Sequence, residues 1–158
     1  MKARMLLQML LALHLSGLVI MAGTTLVDYI TYRTFWKSAD RGDESAAGLL
    51  PVMERYGGMI RAGGALLVLT GIGMMIIVKG VWAEQLWFRI KMGLVVILVL
   101  NGVLGGNKQG GKLRQLIAAG SPDFLQQTTG IRTKLNRFYL VQLAVFLLII
   151  FISALKFD

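Results

Sequence analysis

The sequence predicts an all-α membrane protein, a four-transmembrane-helix antiparallel bundle folded as a single domain over residues 1–158. Three observations predict it. Hydrophobic residues fill 56% of the 158 positions and charged residues only 16%, a balance tilted toward chains that live in a bilayer. The apolar residues gather in four blocks, about Met5 to Tyr29, Ala62 to Val78, Leu86 to Gly105 and Phe138 to Leu155. Each is long enough to cross most or all of a hydrocarbon core about 30 Å thick at about 1.5 Å per residue. Lysine and arginine then cluster on alternate connections, as they do in a chain threaded back and forth through a membrane.

With their polar shoulders the four helices are expected over about 5–35, 52–78, 84–106 and 135–156. Lys2 and Arg4 precede the first apolar run in the manner of a signal peptide. The run outlasts an ordinary h-region and has no convincing small-x-small cleavage site, so it is expected to stay as a mature helix. "KSADRGDESAAGLLP" reads as a surface loop, with Asp40, Asp43 and Glu44 on a solvated face, and "VMERYGGMI" starts the second helix before the hydrocarbon. "KGVWAEQ" is a tight turn that makes the second and third helices antiparallel neighbours. "GGNKQGGKLRQLIAAGSPDFLQQTTGIRTKLNR" is a long connection holding a short helix, "KLRQLIAAG", closed by Gly120, and a further helix start at Ser121-Pro122.

Arg33, Lys37, Arg41 and Arg55 flank the first connection, and Lys108, Lys112, Arg114, Arg132, Lys134 and Arg137 the third. The other side has Lys2, Arg4, Lys79 and Lys156. By the positive-inside rule the first and third connections face the cytoplasm and both termini lie outside, in a multi-pass protein of a bacterial-type inner (plasma) membrane. The net charge of +9 is accounted for by topology and contact with membrane lipid, and nucleic acid is not an expected partner. The chain has no cysteine, which excludes a disulfide framework, a thiolate nucleophile and a cysteine-held iron–sulfur cluster. No Ser-His-Asp triad, Walker loop or dinucleotide fingerprint is present.

His14 is the only histidine and lies inside the first apolar block. Steps of three or four residues from it reach Gly17, Met21, Thr24 or Thr25, Asp28 and Tyr32, nearly every polar or small residue of that helix, so this stripe is expected to face protein. The second helix presents Gly57, Arg61, Gly64, Gly71 and Met74 or Met75, with the glycines at intervals of seven. The third presents Lys91, Leu94, Leu98 and Asn101, and the fourth Gln142 and Ser153. His14 falls roughly 13 Å and Lys91 roughly 8 Å from the outer surface. An outer cluster of His14, Lys91 and a methionine is expected, with Asp28, Arg61 and Asn101 nearer the cytoplasmic edge.

Each of these groups has a plain alternative. An intramembrane histidine either binds a ligand or bridges two helices by hydrogen bonding. Lys91 and Arg89 either serve a site or snorkel to the interface, the methionines either ligate or pack, and the glycines allow close approach of a helix or of a flat ligand. Asp28 and Arg61 read as a structural ion pair or as interfacial residues in preference to catalytic ones.

"LLALHLSGLVIMAG", "VMERYGGMIRAGGALLVLTGIGMM", "WFRIKMGLVVILVLNGVLGG" and "FYLVQLAVFLLIIFISALKF" resemble segments of the HemJ-type integral-membrane protoporphyrinogen oxidase superfamily, which is similar to the copper-resistance D-like small membrane proteins. The matching features are the histidine of "ALH", "MER" before the second helix, the tryptophan and lysine of "WFRIK", the "GVLG" end of the third helix and a terminal "LKF". The resemblance implies a four-helix heme b protein with His14 as axial iron ligand and Lys91 at the family's lysine position. Two departures accompany it. Asn101 stands where the family carries a second histidine, and "YLVQLAV" replaces an asparagine-glutamate-proline element.

The inventory that heme requires is an axial imidazole, an apolar slot, glycines beside the macrocycle and cations for the propionates. His14, Gly17, Met21, Gly64 and Gly71, with Arg61, Arg89 and Lys91, supply it, and Met74 or Met75 offers a sixth ligand. The expected function is heme b binding with redox or electron transfer. Protoporphyrinogen oxidation, with Lys91 as catalytic base, is the enzymatic alternative, and a cofactor-free assembly or transport subunit the other. A tetrapyrrole or quinone is the expected small partner, and a homodimer stays open.

Overall fold

A computed structural model describes residues 2–43, 45–118 and 124–155, and these are almost entirely helical. The helices are α1 (Lys2–Ala39), α2 (Ser45–Gly48), α3 (Leu50–Ile77), α4 (Leu86–Asn101), α5 (Lys108–Ala118) and α6 (Phe124–Leu155). A 3₁₀ turn, Val81–Glu84, precedes α4, and a π-helical segment, Gly102–Asn107, joins α4 to α5. Four helical stretches, Lys2–Ala39, Leu50–Ile77, Leu86–Ile117 and Gln126–Leu155, are long and apolar enough to cross a membrane. The chain is a multi-pass membrane protein.

α1 is free of proline, and four of its aliphatic hydroxyls bond to its own backbone. Ser16, Thr25, Thr31 and Thr34 each donate to the carbonyl four residues back, at 2.8–3.0 Å, as hydroxyls must where no water is at hand. α3 opens with Pro51 in its first turn, where a missing N–H costs nothing. It closes on Lys79 and Gly80, both left-handed (φ 53° and 76°). The Gly80 N–H reaches back to the Met75 carbonyl at 3.1 Å, the cap expected where a glycine ends a helix.

Contacts are uneven around the molecule. α1 packs along α3, α1 also meets α6, and α6 meets α4, whereas α3 and α4 barely touch although a short turn joins them. The expectation that the second and third spans are neighbours is therefore corrected. Turn length limits only the separation of the ends at the turn, and the glycine face of α3 packs closely on α1. Along the α1–α3 contact, Leu10 meets Gly73, His14 Gly71, Gly17 Leu67 and Met21 Gly63, so the two helices run in opposite directions.

Helix ends depart from expectation on the polar side. α1 runs to Ala39, and α6 begins at Phe124, eleven residues before the expected 135. The glycine-rich "GGNKQGG" stays helical. Gly105 and Gly106 lie under the Phe138 ring, where an added Cβ would come within 2.9 and 2.8 Å of it, and this packing overrides a poor intrinsic propensity. The short helix expected at "KLRQLIAAG" exists as the end of α5; Gly120 and Ser121-Pro122 lie outside the described residues.

Two apolar clusters organise the interior. One joins Tyr32, Phe35, Trp36, Ala46, Leu113, Leu135 and Tyr139, drawing on α1, α2, α5 and α6. The other joins Leu98, Val145, Phe146 and Ile149, with Leu18, Met21 and Leu94 packed against them.

Candidate functional site

His14 is half-buried on α1, and its Nδ1 lies 2.9 Å from Thr70 Oγ1 on α3. Thr70 is buried, and its hydroxyl is 2.6 Å from the Leu66 carbonyl and 3.2 Å from that of Leu67. A hydroxyl has one proton, and the carbonyls, which only accept, take it. With that proton on a carbonyl, Thr70 Oγ1 accepts from His14 Nδ1–H, the tautomer that leaves the lone pair on Nε2. The Leu67 backbone is a second hydrogen-bonding neighbour of the ring. In that tautomer the site offers a half-buried imidazole oriented by Thr70, an arrangement in which histidine binds metals.

Lys91 on α4 is half-buried and near enough for its charge to act at the His14 ring. Met74 is buried one helical turn beyond Thr70, and Met75 is half-buried beside it. His14, Lys91 and the Met74 region thus share one end of the bundle, the end at which the short turn joins α3 to α4.

The glycines are placed differently from the slot expectation. A Cβ at Gly17 would lie 3.1 Å from the Gly63 carbonyl, and one at Gly63 would lie 2.9 Å from the Met21 nitrogen. Met21 covers Gly64 with its sulfur, and the His14 ring lies against Gly71. These residues seat α1 directly on α3, so a flat ligand finds no gap there. Arg61 is exposed about 13 Å along α3 from Thr70, and Arg89 is exposed, two residues and so just over a half-turn from Lys91. Neither joins His14.

A second polar cluster lies at the opposite end. Tyr139 donates to Asp28 Oδ2 at 2.8 Å, Tyr32 to the Arg132 carbonyl at 2.7 Å and Tyr29 to Asn136 at 3.3 Å. Asp28 is buried, and its Oδ1 has no partner among the described residues. In place of an Asp28–Arg61 ion pair, Asp28 bonds Tyr139, because the face of α1 that carries Asp28 also meets α6 at this level. Asp40 is more than a solvated acid. Arg132 grips both its oxygens at 3.0 Å and lies 5.0 Å over the Trp36 ring. Glu44 lies outside the described residues. Asn101, at the expected position of a second histidine, donates to Gln142 Oε1 at 2.8 Å and to the Phe138 carbonyl at 3.1 Å.

Sequence reasoning missed Thr70 and Gly63. The signal for Thr70 was present, since it is the one hydrogen-bonding side chain in "GGALLVLTGIGMMII". Among the described residues no three His, Cys, Asp or Glu side chains converge as a protein-only metal site. Comparison with protein-family models, with curated proteins and with solved structures gives no match to this chain.

Proposed function

We propose that this chain is a heme b-binding protein of a bacterial-type plasma membrane. It is a four-helix antiparallel transmembrane bundle with both termini outside, and His14 is the axial ligand through Nε2. The observation that carries the reading is the commitment of Nδ1–H to Thr70. In that arrangement the lone pair lies on Nε2 and the ring has the anchoring partner that ligating histidines need. Lys91 would neutralise a propionate, and Met74, buried one turn beyond Thr70, would be a further residue able to hold the group. The α1–α3 seam is closed by its glycines, so heme would sit outside it.

Bound heme supplies a one-electron iron couple tuned by its axial ligand and that ligand's hydrogen bond. The chain's own residues bind, orient and shield it. Electron transfer is the reading that needs nothing more. Protoporphyrinogen oxidation is the second reading, favoured by the closeness of Lys91 to His14, with the lysine accepting a proton from a tetrapyrrole substrate. The oxidase family's acid on the fourth helix has no counterpart, since Gln142 is held by Asn101.

The test is an absorption spectrum of the detergent-purified protein, oxidised and dithionite-reduced, with a pyridine hemochrome. His14→Ala is expected to abolish the Soret band in a folded protein. An unchanged spectrum in that variant, or a colourless wild type, leaves His14 as a helix-bridging residue in a cofactor-free bundle. Complementation of a strain lacking protoporphyrinogen oxidase, dependent on both His14 and Lys91, selects the enzymatic reading.

A further inference from the structure

Between α4 and α6, away from His14, lies a groove of about 440 Å³. Its walls are Ile97, Leu100 and Leu104 of α4 and Phe138 and Val141 of α6, and Lys134 and Arg137 stand at one end. The π-helical segment and Gly105 let the Phe138 ring sink toward the α4 backbone, and such a segment within a helix is often a functional feature. Asn101 also borders the groove, but its amide is spent on Phe138 and Gln142. The surface the groove presents is therefore apolar along its length and cationic at its mouth.

Lys134, Arg137, Phe138 and Val141 follow one another at helical spacing on one stripe of α6, so the cations and the apolar wall form a continuous track about 10 Å long. Lys134 and Arg137 directly precede the apolar block Phe138–Leu155, which places them where hydrocarbon gives way to headgroups. Both are exposed, and among the described residues neither makes an ion pair or hydrogen bond. Leu100 and Leu104 are likewise half or more exposed, on a face that lipid must cover.

We infer that this groove binds one anionic phospholipid. Its phosphate is held between Arg137, as a planar two-pronged donor, and Lys134, as a point charge, with one acyl chain lying along Leu100, Leu104 and Val141. Charge complementarity selects the headgroup, and the apolar track selects a lipid over a free anion.

The experiment is native mass spectrometry of the full-length, delipidated protein titrated with phosphatidylglycerol and with phosphatidylcholine of identical acyl chains. The wild type is expected to retain one phosphatidylglycerol with at least about tenfold preference. The double variant Lys134→Gln/Arg137→Gln is expected to lose that preference. Lys37→Gln/Arg41→Gln, which removes the same charge from exposed positions that do not line the groove, keeps it. Leu104→Trp, at a position 62% exposed and so tolerant of bulk, fills the track and lowers retention with both cations intact. Equal loss in the two double variants would reduce the effect to diffuse charge and overturn the proposal. So would equal retention of the two lipids, indifference to Leu104→Trp, or displacement of the lipid by inorganic phosphate.

Discussion

At the Trp36 end of the bundle, six aromatic rings from α1 and α6, those of Tyr29, Tyr32, Phe35, Trp36, Phe138 and Tyr139, stand within 4.9–6.2 Å of a neighbour. At the His14 end, α1 and α3 meet through bare glycine backbone and the His14–Thr70 hydrogen bond. Both ends carry a polar side chain in an apolar setting, but they use it differently. Asp28 is buried under Tyr139, whereas His14 is half-buried and held at Nδ1 by Thr70. A buried network fixes a fold. A side chain that is half anchored and half free is what a ligand site requires.

The largest break in this comparison is expected from Trp36→Ala. Trp36 is 2% exposed, packs on Phe35 and Tyr32, and lies under Arg132. Its loss should cost about 3–5 kcal/mol, read as an earlier unfolding midpoint in mixed micelles by circular dichroism. A cost under about 1 kcal/mol would show that the aromatic end does not carry the stability of the bundle.

Tyr139→Phe comes next. It strips the remaining partner from a carboxylate whose Oδ1 already has none, and stranding a buried polar group costs about 1–3 kcal/mol. Pairing it with Asp28→Leu removes the stranded group as well and should restore most of the loss. Failure of that rescue would mean that Asp28 contributes something beyond its bond to Tyr139.

At the other end, Gly63→Ala sets a methyl 2.9 Å from the Met21 backbone nitrogen and 3.0 Å from the Gly17 carbonyl. Backbone on both sides cannot yield as a side chain can, so α1 and α3 must separate, at a cost of about 1–3 kcal/mol. Gly57→Ala, where nothing lies within 4 Å, is the control and should be close to silent. A similar cost at both positions would point to helix propensity in place of close packing.

The four spans were legible because each apolar block is long enough to cross a bilayer, and that is a property of composition. Helix partners were less so. The stripe from His14 through Gly17 and Met21 to Asp28 correctly marked the inward face of α1, yet periodicity carries no information on which helix covers which segment. Asp28 therefore met Tyr139 where Arg61 was expected. The glycine interval of seven pointed to Gly57, Gly64 and Gly71, while the closest approach is at Gly63, one residue away on the same broad face. The helical state of "GGNKQGG" was illegible for a physical reason, since it depends on Phe138, which is more than thirty residues distant.

The smallest effect on stability, and the one that bears most on the site, is expected from Thr70→Val. The change keeps the shape of the side chain and removes Oγ1, so the packing of α3 on α1 survives. A hydrogen bond between helices in a membrane is worth about 0.6 kcal/mol on average, and the unfolding midpoint should hardly move. The His14 ring, however, loses the acceptor that keeps its proton on Nδ1 and its lone pair on Nε2. Losing the partner of a ligating imidazole weakens metal binding about 10- to 100-fold, so if His14 holds heme as proposed, heme should transfer to apomyoglobin far more readily from the valine variant. Thr70→Ser, which restores the hydroxyl, should recover retention. If the valine variant holds heme as tightly as the wild type, the hydrogen bond is only a link between helices, and the two ends of the molecule differ in density alone.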